Sequence, residues 1–314
     1  MYRRMLIPLD GSDLAEVSLP YAQELAAMLC LDVACLHVYG IEGNGLARMH
    51  RAYVDRVAAS TLGWIHDIQR RRGVSCGTEA VKTQGVLATG HPAEEILRYA
   101  DDNDTGLILM ATHGLSGVRR WVLGSVADKV IRASPVPVML VRAGATEEVM
   151  WDELSIKTLI VPLDGSDLAE QALPHVNELT AEGRAEFTNV VLLRACEPPD
   201  ILADYPESAM PLTWKEHLER AEAHSKQSAM DYLAQVEKRL RRTGLNVRSE
   251  VRLGSAAEMI IDCAKREKPS LIVMTTHGRS GLSRLAHGSV AAKVVNEAVS
   301  PVFLIPPGRL GGDA

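Results

Sequence analysis

Short apolar segments alternate along the chain with longer segments whose apolar residues recur every three or four positions. Apolar runs at 5–9, 33–38, 107–110 and 136–141, with a weaker run at 78–82, predict five strands in the first half. Segments at 13–29, 47–72, 92–100 and 125–133 predict the helices between them. Ser12 is expected to cap the first helix and Pro92 to begin the third.

The second half shows the same alternation. Strands are predicted near 158–163, 190–194, 246–252, 271–275 and 302–305. Because the strands of both halves are apolar throughout, they are typical of parallel strands covered by helices on both faces. The predicted fold class is α/β.

The two halves are copies of each other. Residues 8–16 (PLDGSDLAE) recur unchanged at 162–170, an offset of 154. The Thr-His-Gly at 112–114 returns at 276–278, and the Gly-Ser-Val-Ala at 124–127 returns at 288–291, both at an offset of 164. The second copy therefore carries about ten extra residues, which the stretch rich in proline and acid after Cys196 accommodates. We predict two domains, residues 1–150 and 151–314.

Composition and charge narrow the set of partners. The 314 residues carry a net charge of −6 and have a pI near 6.0, so no overall basic field attracts nucleic acid or anionic lipid. No apolar run is long enough to span a bilayer, and the first residues lack the apolar core of a signal peptide. The five cysteines show no metal-binding spacing and are expected to be reduced thiols. We therefore expect a cytoplasmic protein that binds neither nucleic acid nor membrane.

Two loops with one glycine spacing are the strongest candidates for chemistry. A His-Gly pair and a Gly-Ser pair enclose nine residues in each loop, at His113-Gly114 and Gly124-Ser125 and again at His277-Gly278 and Gly288-Ser289. Each loop leaves a predicted strand and opens a predicted helix, whose first N–H groups and dipole favour an anion. Glycine allows positive φ and close approach of a ligand, and the serine can cap the helix and donate to a phosphate oxygen. The alternative is an ordinary strand-to-helix loop with a serine cap.

A repeated aspartate is the second candidate. Asp10 and Asp164 follow the first strand of each copy, at the edge where open parallel sheets bind ligands. The alternative is a turn former, since Asp-Gly is typical turn chemistry. The histidines that open the glycine loops, His113 and His277, are interpreted as packing or hydrogen-bonding residues, because no nucleophile or acidic partner accompanies them.

Both copies resemble universal stress protein domains, and the chain is similar to the tandem form of that family. The ATP-binding branch has a glycine, two residues, a glycine, nine residues, and then Gly followed by Ser or Thr. Gly114, Gly124 and Ser125 match this pattern, as do Gly278, Gly288 and Ser289. The leading glycine is replaced by Ala111 in the first copy and by Thr275 in the second, so both copies depart from the strict pattern.

The resemblance implies a sheet order of 3-2-1-4-5 in each copy, that is, two tandem open five-stranded sheets of the adenine nucleotide alpha hydrolase-like type. It places the aspartate beside the nucleoside, the backbone of Val38 or Ala195 at the adenine edge, and Gly90 or Gly254 near the ribose. The implied binding residues of the first copy are Pro8, Asp10, Val38, Gly90, Ala111, His113, Gly114, Gly124, Ser125 and Val126. Those of the second copy are Pro162, Asp164, Ala195, Gly254, Thr275, His277, Gly278, Gly288, Ser289 and Val290.

The resemblance also implies that the fifth strands, near 135–141 and 301–305, pair between the domains. The chain would then be an intrachain pseudo-dimer, and further association into a homodimer is left open.

Three functions are compatible with these features. The first is an ATP-binding regulatory or stress-response protein with an unidentified protein partner, for which AMP or ADP in place of ATP, and Mg²⁺ beside it, stay open. The second is a slow Mg-dependent ATPase, although the chain lacks a P-loop and kinase motifs. The third is a nucleotide-free protein that acts through dimer contacts. The repeated Gly-x9-Gly-Ser spacing favours the first.

Overall fold

The computed structural model describes residues 2–40, 46–77, 80–113, 123–142, 157–180, 189–197, 212–241, 245–276 and 288–307. In the first copy the elements are β1 (Arg4–Leu9), α1 (Asp13–Glu16), α2 (Leu19–Leu29), β2 (Asp32–Tyr39), α3 (Ala47–Arg72), β3 (Thr83–Thr89), α4 (Pro92–Asp102), β4 (Leu107–Ala111), α5 (Ser125–Ala133) and β5 (Val138–Val141). In the second copy they are β6 (Thr158–Pro162), α6 (Asp167–Glu170), α7 (Ala172–Leu179), β7 (Asn189–Cys196), α8 (Leu212–Arg241), β8 (Asn246–Leu253), α9 (Ala256–Arg266), β9 (Ser270–Thr275), α10 (Ser289–Glu297) and β10 (Val302–Ile305).

All ten strands form one sheet, in the order β3-β2-β1-β4-β5-β10-β9-β6-β7-β8. Within each copy the strands are parallel and follow the predicted order 3-2-1-4-5. The two five-stranded sheets expected from the sequence are joined into one ten-stranded sheet. The apolar edges β5 and β10 pair antiparallel, with Met139 opposite Phe303, because this pairing satisfies main-chain groups that would otherwise be left open at two apolar edges. The predicted pairing of the fifth strands is confirmed.

Two local predictions also need correction. The third strand was expected at 78–82 but begins at Thr83, and its side chains are mostly half-exposed. This strand lies at the edge of the sheet and contains Gly85 and polar residues, so its apolar pattern is weak. The buried Val81 just before it shifted the predicted strand toward the N-terminus. The single helix expected over 13–29 is split into α1 and α2. Pro20 has no N–H for a bond to the carbonyl of Glu16, so the helical ladder is interrupted there.

Helices cover both faces of the sheet, and each face holds one core. Each of the two cores takes buried residues from both copies, so the hydrophobic interior is continuous across the β5–β10 junction. Tyr2, His175 and Phe303 meet at this junction, with ring centroids 5.9–6.2 Å apart. The Tyr2 hydroxyl is hydrogen-bonded to His175 Nδ1. The copies are therefore joined by packing as well as by the sheet.

The cysteines differ from the expectation that all are reduced. Cys30, at the end of α2, and Cys76, after α3, form a disulfide with Cα atoms 5.5 Å apart. Residue spacing gave no sign of this bond, because the two thiols meet only when the ends of the two helices pack together. Cys35, Cys196 and Cys263 are free and buried. Among the helices that the structure describes, none is both long and apolar enough to cross a membrane.

Candidate functional site

The aspartates after β1 and β6 form identical turns. Asp10 Oδ1 accepts hydrogen bonds from Ser12 N at 3.0 Å and from Ser12 Oγ at 2.6 Å. The Ser12 hydroxyl oxygen accepts a bond from Ala15 N at 3.2 Å and so caps α1 as predicted. Asp164 and Ser166 repeat the arrangement, at 2.9 and 2.6 Å. The turn-forming role considered for the aspartate is therefore present in both copies, and it directs one carboxylate oxygen toward the start of the helix.

The glycine loops close in the same way in both copies. Gly124 N donates to Thr112 O at 2.9 Å, and Gly288 N donates to Thr276 O at 2.9 Å. A Cβ atom on Gly124 would lie 2.9 Å from Thr112 O, so the close approach of two main-chain segments requires glycine there. The φ angles of Gly124 and Gly288 are −62° and −56°, so positive φ is not the reason for these two glycines.

The expectation that serine caps these helices is wrong. The N-cap residues are Gly124 and Gly288, and Ser125 and Ser289 are the first helical residues. Both serines are exposed. The loop closure places each hydroxyl beside the first N–H groups of a nine-residue helix, which is the arrangement that favours an anion.

A cavity of about 550 Å³ opens at the carboxyl edge of the second copy, within the range typical of small-molecule sites. It brings together seven of the residues that the sequence proposed, namely Pro162, Asp164, Ala195, Thr275, Gly288, Ser289 and Val290. These come from β6, β7, β9 and the start of α10, because β6 lies between β7 and β9 where the strand order reverses. Gly254 follows β8 and does not line this cavity. Its φ of 132° favours glycine, and its N–H donates to Cys196 O at 3.0 Å.

Several lining residues were not predicted from the sequence. Arg194, Cys196, Glu197, Ser225 and Ile260 also face the cavity. The guanidinium of Arg194 lies over the ring of Tyr232, 5.1 Å from its centroid, and close to Gly165 of the aspartate turn. In the sequence, the only indication of a role for Arg194 is its position next to Ala195 near the end of a predicted strand. Ser225 comes from α8, whose register against the sheet no local pattern determines.

The first copy presents different side chains at the same edge. His37 precedes Val38 on β2, and its Nδ1 is hydrogen-bonded to Leu9 O at 2.9 Å. Its Nε2 lies 2.9 Å from His50 Nδ1, and the His50 ring stacks on His37 and on Tyr39 at 4.9 and 5.0 Å. Burial lowers the pKa of His37, so this imidazole is neutral near pH 7.

The other first-copy candidates lie near the carboxyl ends of β1, β3 and β4 or at the start of α5. Pro8 is the residue before the last of β1, Ala111 is the last residue of the adjacent strand β4, and Val126 follows Ser125 in α5. His113 Nδ1 lies 3.0 Å from Thr112 Oγ1, which agrees with the hydrogen-bonding role expected for this histidine. Gly90 has a φ of 146° and donates to Tyr39 O at 3.1 Å. The predicted sites at Gly114, His277 and Gly278 lie outside the described residues.

Comparison with known proteins agrees with this architecture. The family profile described as "Universal stress protein family" matches residues 1–142 and 155–306, one match for each copy. The tandem α/β domains and the two matches define the class, and the chain belongs to the universal stress protein family.

Individual relatives resemble one copy or the whole chain. Universal stress protein YxiE of Bacillus subtilis is 30% identical over 149 residues, covering 45% of this chain and all of the relative. A universal stress protein of Methanothermobacter thermautotrophicus is 30% identical over 146 residues, covering 45% of this chain and 97% of the relative. The crystal structure of a universal stress protein from Archaeoglobus fulgidus covers 97% of this chain and 98% of its own, with a TM-score of 0.67 and 18% identity. That structure shares the fold over both copies.

Proposed function

We propose that this universal stress protein binds ATP and acts as a nucleotide-dependent regulatory protein of the stress response. The observation that carries the proposal is the cavity of about 550 Å³ at the carboxyl edge of the second copy. Asp164, Ala195, Gly288 and Ser289, proposed from sequence alone, are four of its lining residues. An open cavity at the point where strand order reverses is where α/β sheets bind nucleotides.

The charges around the cavity fit the two ends of a nucleotide. Gly288 and Ser289 begin α10, and the N–H groups of its first turn favour phosphate. At the other end, Asp164 is an acceptor for ribose hydroxyls, and the main chain at Ala195 can pair with the adenine edge. Arg194 adds a cation to a wall that also holds Glu197.

Binding without fast hydrolysis is the function that this wall favours. Asp164 Oδ1 is already bonded to Ser166, and Glu197 Oε1 lies 3.5 Å from Ala256 N, so both carboxylates also serve the turns around them. Within the parts of the chain that the structure describes, no cluster of three or more His, Cys, Asp or Glu side chains is placed to hold a metal. A Mg²⁺ ion would be held chiefly by the phosphates of the nucleotide.

We propose a cytoplasmic location and an unidentified protein partner for the same regulatory role.

The first test is the nucleotide itself. We expect adenine nucleotide to be released when the purified protein is denatured, and its identity distinguishes ATP from ADP and AMP. Isothermal titration with ATP gives the dissociation constant, and a phosphate-release assay gives the turnover. Failure to bind any of the three nucleotides would favour the nucleotide-free alternative, whereas rapid multiple turnover would favour an ATPase.

Ser289→Glu locates the site. A carboxylate at the start of α10 favours the helix dipole but repels phosphate, so we expect ATP binding to weaken at least about tenfold with little change in melting temperature. Val299→Glu adds the same charge beyond the other end of α10, at a residue that is 37% exposed, and is expected to bind ATP normally. Equal binding by the two variants would contradict a phosphate site at the start of α10.

A further inference from the structure

The two copies share a frame that allows their candidate sites to be compared residue by residue. Tyr53 of α3 donates to Glu16 Oε1 at 2.9 Å, and Tyr232 of α8 lies beside Glu170, the matching glutamate of the repeat. Burial and that carboxylate raise the pKa of Tyr232. The two tyrosines therefore hold equivalent places, and residues counted from them correspond.

Three positions of this frame differ between the copies. The residue that lies against the tyrosine is His37 in the first copy and Arg194 in the second. The last strand residue is Tyr39 in the first copy and Cys196 in the second. Three residues before the tyrosine, His50 in the first copy is replaced by Ala229 in the second.

These three differences determine which side chains lie between the end of β2 and α3 in the first copy, and between the end of β7 and α8 in the second. In the first copy the His50 ring stacks on the rings of His37 and Tyr39, and a hydrogen bond joins the two imidazoles. In the second copy a thiol and a methyl group replace two of these rings. Cys196 and Ser225 there face the cavity instead of a ring stack.

The glycine after the third strand shows a matching difference. A Cβ atom on Gly90 would lie 3.1 Å from the side chain of Glu95, so a carboxylate stands beside the predicted ribose turn of the first copy. At Gly254 the nearest side chain is that of Met259, at 3.2 Å. The Glu95 carboxylate is paired with Arg98, so the two copies differ here in the shape and hydrogen bonding of the side chain beside the turn.

We infer that the chain binds one nucleotide, in the second copy alone, and that Arg194 contacts it there, an inference that rests on the proposed function. The first copy has the same strands and turns around the equivalent position, but the side chains of His37, Tyr39 and His50 there contact one another. A copy with bound nucleotide is then joined, through one continuous sheet, to a copy without nucleotide.

The position of Arg194 suits a contact with the ligand. A Cβ atom on Gly165 would lie 2.9 Å from Arg194 Nη1, so the glycine of the aspartate turn leaves room for the guanidinium. A Cβ atom placed on the equivalent Gly11 would meet no other part of the described residues within 4 Å. Stacking on Tyr232 uses the face of the guanidinium and leaves N–H groups on its edge to donate to an anionic or carbonyl oxygen.

Stoichiometry and location test the inference together. Titration of the full chain with ATP is expected to give one site per chain. Photo-crosslinking with an azido-ATP followed by peptide mapping is expected to label peptides from 157–307 and not from 2–142. Two sites per chain, or labelling in the first copy, would overturn the inference while leaving ATP binding intact. Absence of binding would overturn the proposed function and the inference with it.

Arg194→Gln tests the contact, with Arg248→Gln as the matched control. Arg248 lies on β8, where it pairs with Glu267 outside the cavity, so the control removes the same charge from the same domain. We expect Arg194→Gln to raise the dissociation constant for ATP by about tenfold or more, the size of a lost charge-assisted hydrogen bond. The control is expected to stay within about twofold of the parent protein. Equal constants for the two variants, with melting curves showing both folded, would rule out the contact.

Discussion

Single side chains join the two copies at places far apart in the sequence. The Tyr2 hydroxyl bonds to His175 Nδ1 across 173 residues, and Leu123 N donates to Asn296 Oδ1 at 3.2 Å across the same separation. Burial and the nearby Glu178 raise the pKa of Tyr2, so its hydroxyl stays protonated and donates. His175 Nδ1 must then accept, which requires a neutral imidazole at the junction of the copies.

This requirement predicts a loss of stability in acid. Burial lowers the pKa of His175 to about 4, against 6.5 in the unfolded chain. The unfolded state therefore binds a proton that the folded state does not, and the free energy of unfolding falls as the pH drops from 6.5 toward 4. The slope from this one group is at most about 1.4 kcal/mol per pH unit. Urea unfolding at a series of pH values measures it.

His175→Gln removes the titrating group and keeps an acceptor for Tyr2. We expect this variant to show a shallower fall in stability over the same pH range. His66→Gln, on the exposed side of α3, serves as the control and should keep the slope of the parent protein. Identical slopes for all three proteins would show that His175 does not govern the acid response.

At the scale of elements, the long helix α3 is tied to its neighbours at both ends. Near its start, Tyr53 bonds to Glu16 of α1. Near its end, Arg72 forms an ion pair with Glu24 of α2 at 2.8 Å, and Gln69 Nε2 donates to Ala27 O at 3.2 Å. The Cys30–Cys76 disulfide adds a covalent tie at the same end, so α2 and α3 are expected to open together.

The disulfide predicts a redox-dependent stability. Its cysteines are 46 residues apart, and closing a loop of this size in the unfolded chain stabilises the fold by about 2–4 kcal/mol. We expect Cys30→Ser to lower the free energy of unfolding in urea by that amount under oxidising conditions. A reductant should lower the stability of the parent protein to that of the variant. A parent protein unaffected by reductant would contradict a stabilising bond.

At the scale of the whole molecule, the β5–β10 pairing makes the chain a pseudo-dimer built on one sheet. Met139 and Phe303 lie opposite each other in this pair, and both are buried. Arg142 donates across the same junction to Glu297 O at 3.3 Å. The contact between Leu123 and Asn296 lies here too, so the start of α5 is linked to the end of the helix that begins at Ser289.

Proline at the junction tests this coupling. Met139→Pro removes a main-chain donor from a strand with neighbours on both sides, and proline is excluded from such positions. We expect a lower melting temperature and loss of a single cooperative transition, as the copies unfold separately. Scanning calorimetry measures both. An unchanged melting curve would count against the junction as the element that joins the copies.

Much of the candidate site was accessible from the sequence because it is repeated. Asp164 and the Gly288-Ser289 pair stood out because each occurs twice at fixed spacing, and the structure places them around one cavity. Arg194 and Ser225 did not stand out, since they come from a strand end and a helix that are adjacent only after folding. The loop closure at Gly124 shows the same limit, because its cause is the carbonyl of Thr112 and not its own φ.

Local patterns determined the strands, most helices, the duplication and the α/β class, because apolar periodicity and turn residues act within a few positions of the chain. Contacts between distant residues decided the rest. The antiparallel pairing of two apolar edges joined two sheets into one, and the packing of α2 on α3 brought Cys30 to Cys76. In the first copy the rings of His37, Tyr39 and His50 met, and in the second copy residues of three strands, α8 and α10 met around a cavity. Such contacts depend on which surfaces face each other across the folded chain, and sequence spacing does not record that.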